Sequence, residues 1–375
     1  MPFPKKLIKE IKSIKDLLKE GEMMLNLTIQ NLDLNKLDVN WENIKLANTT
    51  FLGCEMSDEI ELILRKKKAF IYPKIVGIPY NPYKKSLYTY EELMEGYSQE
   101  EDNSVDTKIY THFNKLRYTA DINEALAQRI HDHAIDDALM DIIGLDENGM
   151  TTKKCVGVMG GHNILRTDPY YEKVAFTAKK LTEMGYFILS GGGPGIMEAA
   201  NMGAYFGKLS DEDLSNAIKI LKEVPSYKDK NYVEKAVEVI DIYPKGCKNM
   251  AIPTWFYGHE PSNIFATYIA KYFANSIRED ILLSTSLHGI IYAPGSSGTF
   301  QEIFAGVNQN HYQTHGFSSP MIFFGEKFWK EQSDVYKLVF NFSKGKKYHE
   351  MMMMSDSSDE IVEFIKNNPP VEKSE

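Results

Sequence analysis

The stretch APGSSGTFQEI, Ala293 to Ile303, sets a Gly-Ser-Ser-Gly-Thr turn between an apolar run and an amphipathic segment carrying one carboxylate, Glu302. A glycine turn that runs into a helix aims backbone N–H groups at one spot, and the helix dipole adds positive character there. The turn Gly295, Ser296, Ser297, Gly298 and Thr299 can therefore hold a phosphate without a lysine, with the Thr299 hydroxyl as a further donor. Two more glycine turns follow apolar runs. Gly160 and Gly161 close CVGVMGG; Gly192, Gly193 and Gly195 close YFILSGGGPG and lead into Met197 and Glu198. Three such turns on one sheet edge point to a phosphorylated ligand. Neither GxGxxG with an acidic ribose binder nor the P-loop lysine is present, which sets aside a dinucleotide and ATP hydrolysis.

The elements that must position these turns alternate from Cys155 onward. CVGVM, YFILS, GIIY and PMIFFG read as buried strands. DPYYEKVAFTAKKLTEMG reads as a helix with Asp168 as N-cap, Pro169 in the first turn and Gly185 at the stop. IMEAANMGAYF, FQEIFAGVNQN and SDEIVEFIKNN are further helices, and Gly207 to Asn231 is a charged, helix-prone insertion. AVEVIDIY reads as another strand, and SNIFATYIAKYFANSIREDILLSTS as one long helix. Apolar strands alternating with helices mean a parallel sheet covered on both faces. The expected fold is α/β: a Rossmann-like doubly wound sheet over residues 151–370, with ligands at the carboxyl ends of its strands.

Residues 1–150 form a smaller accessory region. Its opening, rich in lysine, has apolar residues at helical spacing and reads as a surface helix. Leu34, Val39, Ile44, Thr49 and Cys54 then recur every five positions, with Leu46, Phe51 and Met56 as a second file. That period resembles a short pentapeptide-repeat coil, a few rungs of right-handed β-helix. A Pro- and Tyr-rich acidic connector follows, then a strong helix in INEALAQRIHDHAIDDALMDIIG.

The net charge of −9 argues against coating nucleic acid. The three cysteines, Cys54, Cys155 and Cys247, form no CxxC pair, which fits a reducing cytoplasm and sets aside a zinc or disulfide framework. No apolar run is long enough to span a membrane. His131, Asp132, His133, Asp136 and Asp137 lack HExxH spacing and read as a solvated or nucleotide-facing helix rather than a metal site. Met351 to Met354 read as packing residues near a chain turn.

SGGGPGIMEAANMGA and PGSSGTFQE, with Arg278 ahead of the second, resemble the LONELY GUY (LOG) family in motif, order and spacing over about Cys155 to Phe328. The long N-terminal region resembles a larger subgroup of that family. The resemblance implies hydrolysis of the N-glycosidic bond of a nucleoside 5′-monophosphate to free base and ribose 5-phosphate. It implies no cofactor, and a homodimer or higher homo-oligomer with sites near the subunit contact, for which Asn263 to Leu283 is a candidate surface. It places the catalytic pair on Arg278 and Glu302. The chemistry agrees: a carboxylate stabilises an oxocarbenium-like C1′ or orients water, and an arginine grips phosphate. Lysine decarboxylation, an older label for such sequences, is set aside because neither glycine motif holds a lysine for pyridoxal phosphate.

This chain has Ser296 where the family loop has glycine. If that position needs a positive φ, serine costs roughly 1–2 kcal/mol; otherwise its hydroxyl adds a donor. A sensor that kept the pocket and lost turnover is the alternative function. Trp255, Phe256, Tyr257 and His259 are candidates to stack on or hydrogen-bond the base.

Overall fold

The computed structural model describes residues 6–19, 23–98, 100–258 and 260–373. The chain divides into two compact units whose bounds differ from a linear split at 150. The first holds residues up to Ser86 together with Leu116–Ala138; the second holds Leu87–Lys115 and everything from Leu139.

In the first unit, short strands stack in parallel. Lys6–Ile8, Leu27–Gln30, Thr50–Leu52 and Phe70–Tyr72 form one ribbon, and Met23–Leu25 pairs with Lys45–Ala47. Thr28 lies opposite Thr50, Met23 opposite Lys45 and Thr50 opposite Phe70, so each rung takes about four five-residue sides. The file at period five is the inner lining. Met24, Ile29, Leu34, Ile44, Thr49 and Cys54 are buried, and Val39 is half-buried. Asparagines in left-handed conformation turn two corners, where Asn48 Nδ2 donates to Asn26 Oδ1 at 2.9 Å. The opening helix spans Ile11–Lys19. The strong helix spans Ile122–Ile143, with the division between units falling inside it.

The second unit is built on seven parallel strands: β1 (Cys155–Met159), β2 (Phe187–Ser190), β3 (Met250–Ala251), β4 (Tyr268–Ile269), β5 (Ile290–Tyr292), β6 (Met321–Phe324) and β7 (Met352–Ser355). Their order is β4-β3-β2-β1-β5-β6-β7. Helices α1 (Val105–Leu116, all but its last residue), α2 (Pro169–Glu183), α3 (Ile196–Tyr205), α4 (Asp211–Leu221), α5 (Tyr232–Ile242), α6 (Asn275–Thr285), α7 (Ser297–Tyr312) and α8 (Ser358–Asn367) belong to the same unit. Alternate residues of a strand face opposite sides. Val156, Val158, Ile291, Ile322 and Phe324 join residues of α2, α3 and α8 in one core. Gly157 turns the other way, onto Ser286 beyond α6, and the Tyr292 hydroxyl meets Gly306 of α7. The sheet is therefore covered on both faces, a Rossmann-like α/β fold.

Local signals hold in α2, where Asp168 Oδ1 accepts from Tyr170 N at 2.8 Å and Gly185 takes φ +86°. Two elements differ from expectation. AVEVIDIY is not a strand but the end of α5, because Ala236 and Val239 bury on one helical face despite their neighbours' β-branching. The segment from Ser262 to Ser286 is not one helix. It holds the two-residue strand β4, a break at Ala270 to Ala274, and then α6. No continuous apolar helix from Asn263 to Leu283 exists to serve as a subunit contact. Met351 to Met354 run into the edge strand β7. Among the described residues, no helix is long and apolar enough to cross a membrane.

Candidate active site

Strand order reverses between β1 and β5, and a crevice opens at the carboxyl ends of such strands. A cleft of about 520 Å³ lies there. Gly160, Gly161, Gly192, Gly193, Met197, Arg278, Ser296, Ser297, Gly298, Thr299 and Glu302 all line it. Gly195, Glu198 and Gly295 do not.

The three glycine turns are tied to one another. Gly161 N donates to Pro294 O at 2.9 Å, and Ile196 N donates to Gly161 O at 3.2 Å. Gly192 N is taken by Ser190 Oγ at 3.0 Å. Those N–H groups are spent on holding the loops, and the start of α7 offers further backbone donors at the cleft. Its first backward bond is Phe300 N to Ser296 O at 3.1 Å. The N–H groups of Ser297, Gly298 and Thr299 precede it and have no helical carbonyl to serve. Ser296 sits at φ −116° and ψ −154°, extended backbone open to any residue, so serine carries no left-handed strain. Its hydroxyl caps no helical N–H and borders the cleft.

Gly195 serves the loops rather than the ligand. It takes φ +68°, and a Cβ there would stand 2.5 Å from Gly161 O. Gly195→Ala is expected to lower the melting temperature by several degrees, because the strained conformation alone costs about 1–2 kcal/mol. Thermal unfolding of the variant checks this, and a melt unchanged within a degree would refute it.

Arg278, on α6, and Glu302, in the second turn of α7, meet in the cleft wall. Arg278 Nε donates to Ile252 O at 2.7 Å, Nη2 to Gly191 O at 3.1 Å and Nη1 to Glu302 Oε1 at 3.2 Å. The guanidinium thus pins the loops after β2 and β3 and orients Glu302. Three of its five donors are committed before any ligand arrives, one of them to positioning the carboxylate, and two remain. Burial pushes the Glu302 carboxyl above its usual range; Arg278 opposes this and the nearby Glu279 adds to it. Glu279 accepts from Asn275 Nδ2 and Gln301 Nε2, both at 2.7 Å. Asn275 also donates to the Tyr257 hydroxyl at 2.9 Å, which ties that cleft residue to the same network.

Glu198 is not a ligand contact. Its carboxylate accepts from Arg166 Nε at 2.9 Å and Nη2 at 2.6 Å, and from the hydroxyls of Tyr171 and Tyr232 at 2.8 Å each. Its two oxygens together take four hydrogen bonds inside the core. Trp255 is not a base platform either: it is fully buried, and its Nε1 donates to Asp106 Oδ1 at 2.7 Å. Tyr257 lines the cleft, Phe256 does not, and His259 lies outside the described residues.

Sequence reasoning missed Lys271, Ser262, Glu260 and His162 in the cleft lining, and Asp106 behind it. Only an ordinary lysine in an apolar run and an aspartate in a charged connector marked the Lys271–Asp106 pair. Among the described residues, no group of three His, Cys, Asp or Glu side chains stands close enough to hold a metal. In the first unit, His131 Nδ1 lies 3.2 Å from Asp132, and His133 Nε2 3.7 Å from Asp137.

No family model matches the chain, and no curated protein matches it. Among solved structures it is similar to the molybdenum cofactor binding protein of Rippkaea orientalis, at 18% identity and a TM-score of 0.37 over 57% of this chain and 96% of that one. It is also similar to the Moco carrier protein of Chlamydomonas reinhardtii, at 14% identity and a TM-score of 0.36, with the same coverage.

Proposed function

We propose that the protein hydrolyses the N-glycosidic bond of a nucleoside 5′-monophosphate, releasing the base and ribose 5-phosphate. One observation carries this reading. A buried carboxylate, Glu302, held by Arg278, shares a cleft with the open N-terminus of α7. The N–H groups of Ser297, Gly298 and Thr299 take the phosphate, helped by the Ser296 and Thr299 hydroxyls. Glu302 then lies beside the ribose. As positive charge builds at C1′, the carboxylate stabilises it and accepts a proton from the attacking water. The water oxygen bonds to C1′, the C1′–N bond breaks, and its electron pair leaves with the base. A carboxyl group with a raised pKa is the stronger proton acceptor, which suits this role. The LONELY GUY resemblance supports the same reading, since Arg278 and Glu302 are the residues it assigns.

The test is incubation with AMP, GMP, IMP, CMP and UMP, with ribose 5-phosphate and free base quantified. Equal amounts of the two products are expected from at least one nucleotide. Tight binding with no release from any of them would overturn hydrolysis and favour a nucleotide sensor.

A further inference from the structure

Lys271 is a buried ammonium at the edge of this cleft that the hydrolytic reading leaves unused. Its side chain is only 6% exposed, yet it lines the cleft. Nζ lies 2.8 Å from each Asp106 oxygen and 5.3 Å from the centre of the Trp255 ring. Asp106 is itself fixed by Trp255 Nε1 at 2.7 Å and Ser262 Oγ at 3.0 Å. The ammonium is therefore held in place before a ligand binds. Two of its three N–H groups serve the Asp106 oxygens, and the residue lines the cleft.

Strand order fixes where that donor stands. The α7 N-terminus follows β5, Arg278 touches the loops after β2 and β3, and Lys271 follows β4. From β5 to β4 is four inter-strand steps of about 4.8 Å, roughly 19 Å between backbones. Along the crevice the phosphate donors, the carboxylate and the ammonium come in the order of phosphate, ribose and base. Thr254, Ser262 and Asn263 line the same stretch as Lys271.

We propose, on the hydrolytic reading above, that Lys271 selects bases bearing a carbonyl where adenine and cytosine bear an amino group. An ammonium only donates, so it pairs with O6 of guanine or hypoxanthine or O4 of uracil, and it repels an amino donor. The same contact aids departure of the base. The electron pair of the broken bond delocalises onto that carbonyl oxygen, where the ammonium meets it, and the base then takes a proton from solvent.

The experiment compares kcat/KM for GMP against AMP and UMP against CMP. Both ratios are expected to favour the keto base by roughly 10- to 100-fold, the scale of one hydrogen bond to a charged donor. Lys271→Met alone strands Asp106 in the core and risks misfolding. The paired variant Lys271→Met/Asp106→Asn removes both charges together. With its melting curve verified, both ratios should collapse toward one. Nucleotide affinities are measured by calorimetry on Glu302→Gln, with and without the paired change. A protein that binds without cleaving then still reports base selection, so failure of hydrolysis and failure of this proposal are told apart. Equal or inverted ratios in the parent protein would overturn it, as would ratios unmoved by the paired variant.

Discussion

Glu302→Gln should lower base release by about a thousandfold while leaving nucleotide affinity within a few-fold. A loss of that size corresponds to about 4 kcal/mol of transition-state stabilisation, within the span of a lost charge-stabilising or proton-accepting group. The amide keeps an oxygen for Arg278 Nη1, so the loops after β2 and β3 stay pinned through Ile252 O and Gly191 O. On the proposed hydrolysis, what disappears is the negative charge facing C1′ and the acceptor for the proton of water. Steady-state rates and calorimetric affinities separate the two effects; a variant that turns over within tenfold of the parent would remove Glu302 from the chemistry. Stability supplies an independent readout. The folded carboxyl is raised above its usual 4.5, so its favourable contribution is full below that pH and is lost as pH rises through the folded value. The Gln variant should therefore gain on the parent in thermal stability as pH is raised above 4.5.

Arg166→Met is expected to destabilise the second unit by about 3–5 kcal/mol, lowering its melting temperature by roughly 10 °C. Arg166 and Glu198 are both buried, and the guanidinium also stacks 3.5 Å from the centre of the Tyr232 ring. Removing the cation leaves a carboxylate in the core with only two tyrosine hydroxyls to serve it. The double variant Arg166→Met/Glu198→Gln removes the stranded charge and keeps an acceptor for Tyr171 and Tyr232. It should recover about half of the loss. A single variant that melts within 2 °C of the parent would show that the pair contributes little. The contrast with Glu302 is instructive: two glutamates beside glycine turns, one saturated by structural partners and one facing a cleft.

What could be read in advance tracks how local each cause is. Asp168 with Pro169, the glycines at strand ends and the period of five are short-range signals, and each marks its element in the structure. Glu198 and Glu302 sit alike within their motifs, and only the arrival of Arg166, Tyr171 and Tyr232 from elsewhere separates their roles. β4 is two residues long within an apolar run whose Phe265, Ile269, Tyr272 and Phe273 also fit a helical stripe. Periodicity cannot tell a short buried strand from a buried helix. Trp255 reads locally as a candidate to stack on the base because its partner Asp106 lies 149 residues away. Lys271 was missed for the same reason: its meaning depends on a carboxylate that no local pattern connects to it.

That separation bears on how the protein is made. Asp106 and Lys271 are 165 residues apart. At a synthesis rate of about 5–20 residues per second, the acid waits roughly 10–30 s for its cation to leave the ribosome. Until then, burying Asp106 would mean burying a charge without its cation, which is costly. The ion pair of α1 can therefore close only after the chain has been made as far as β4 and Lys271.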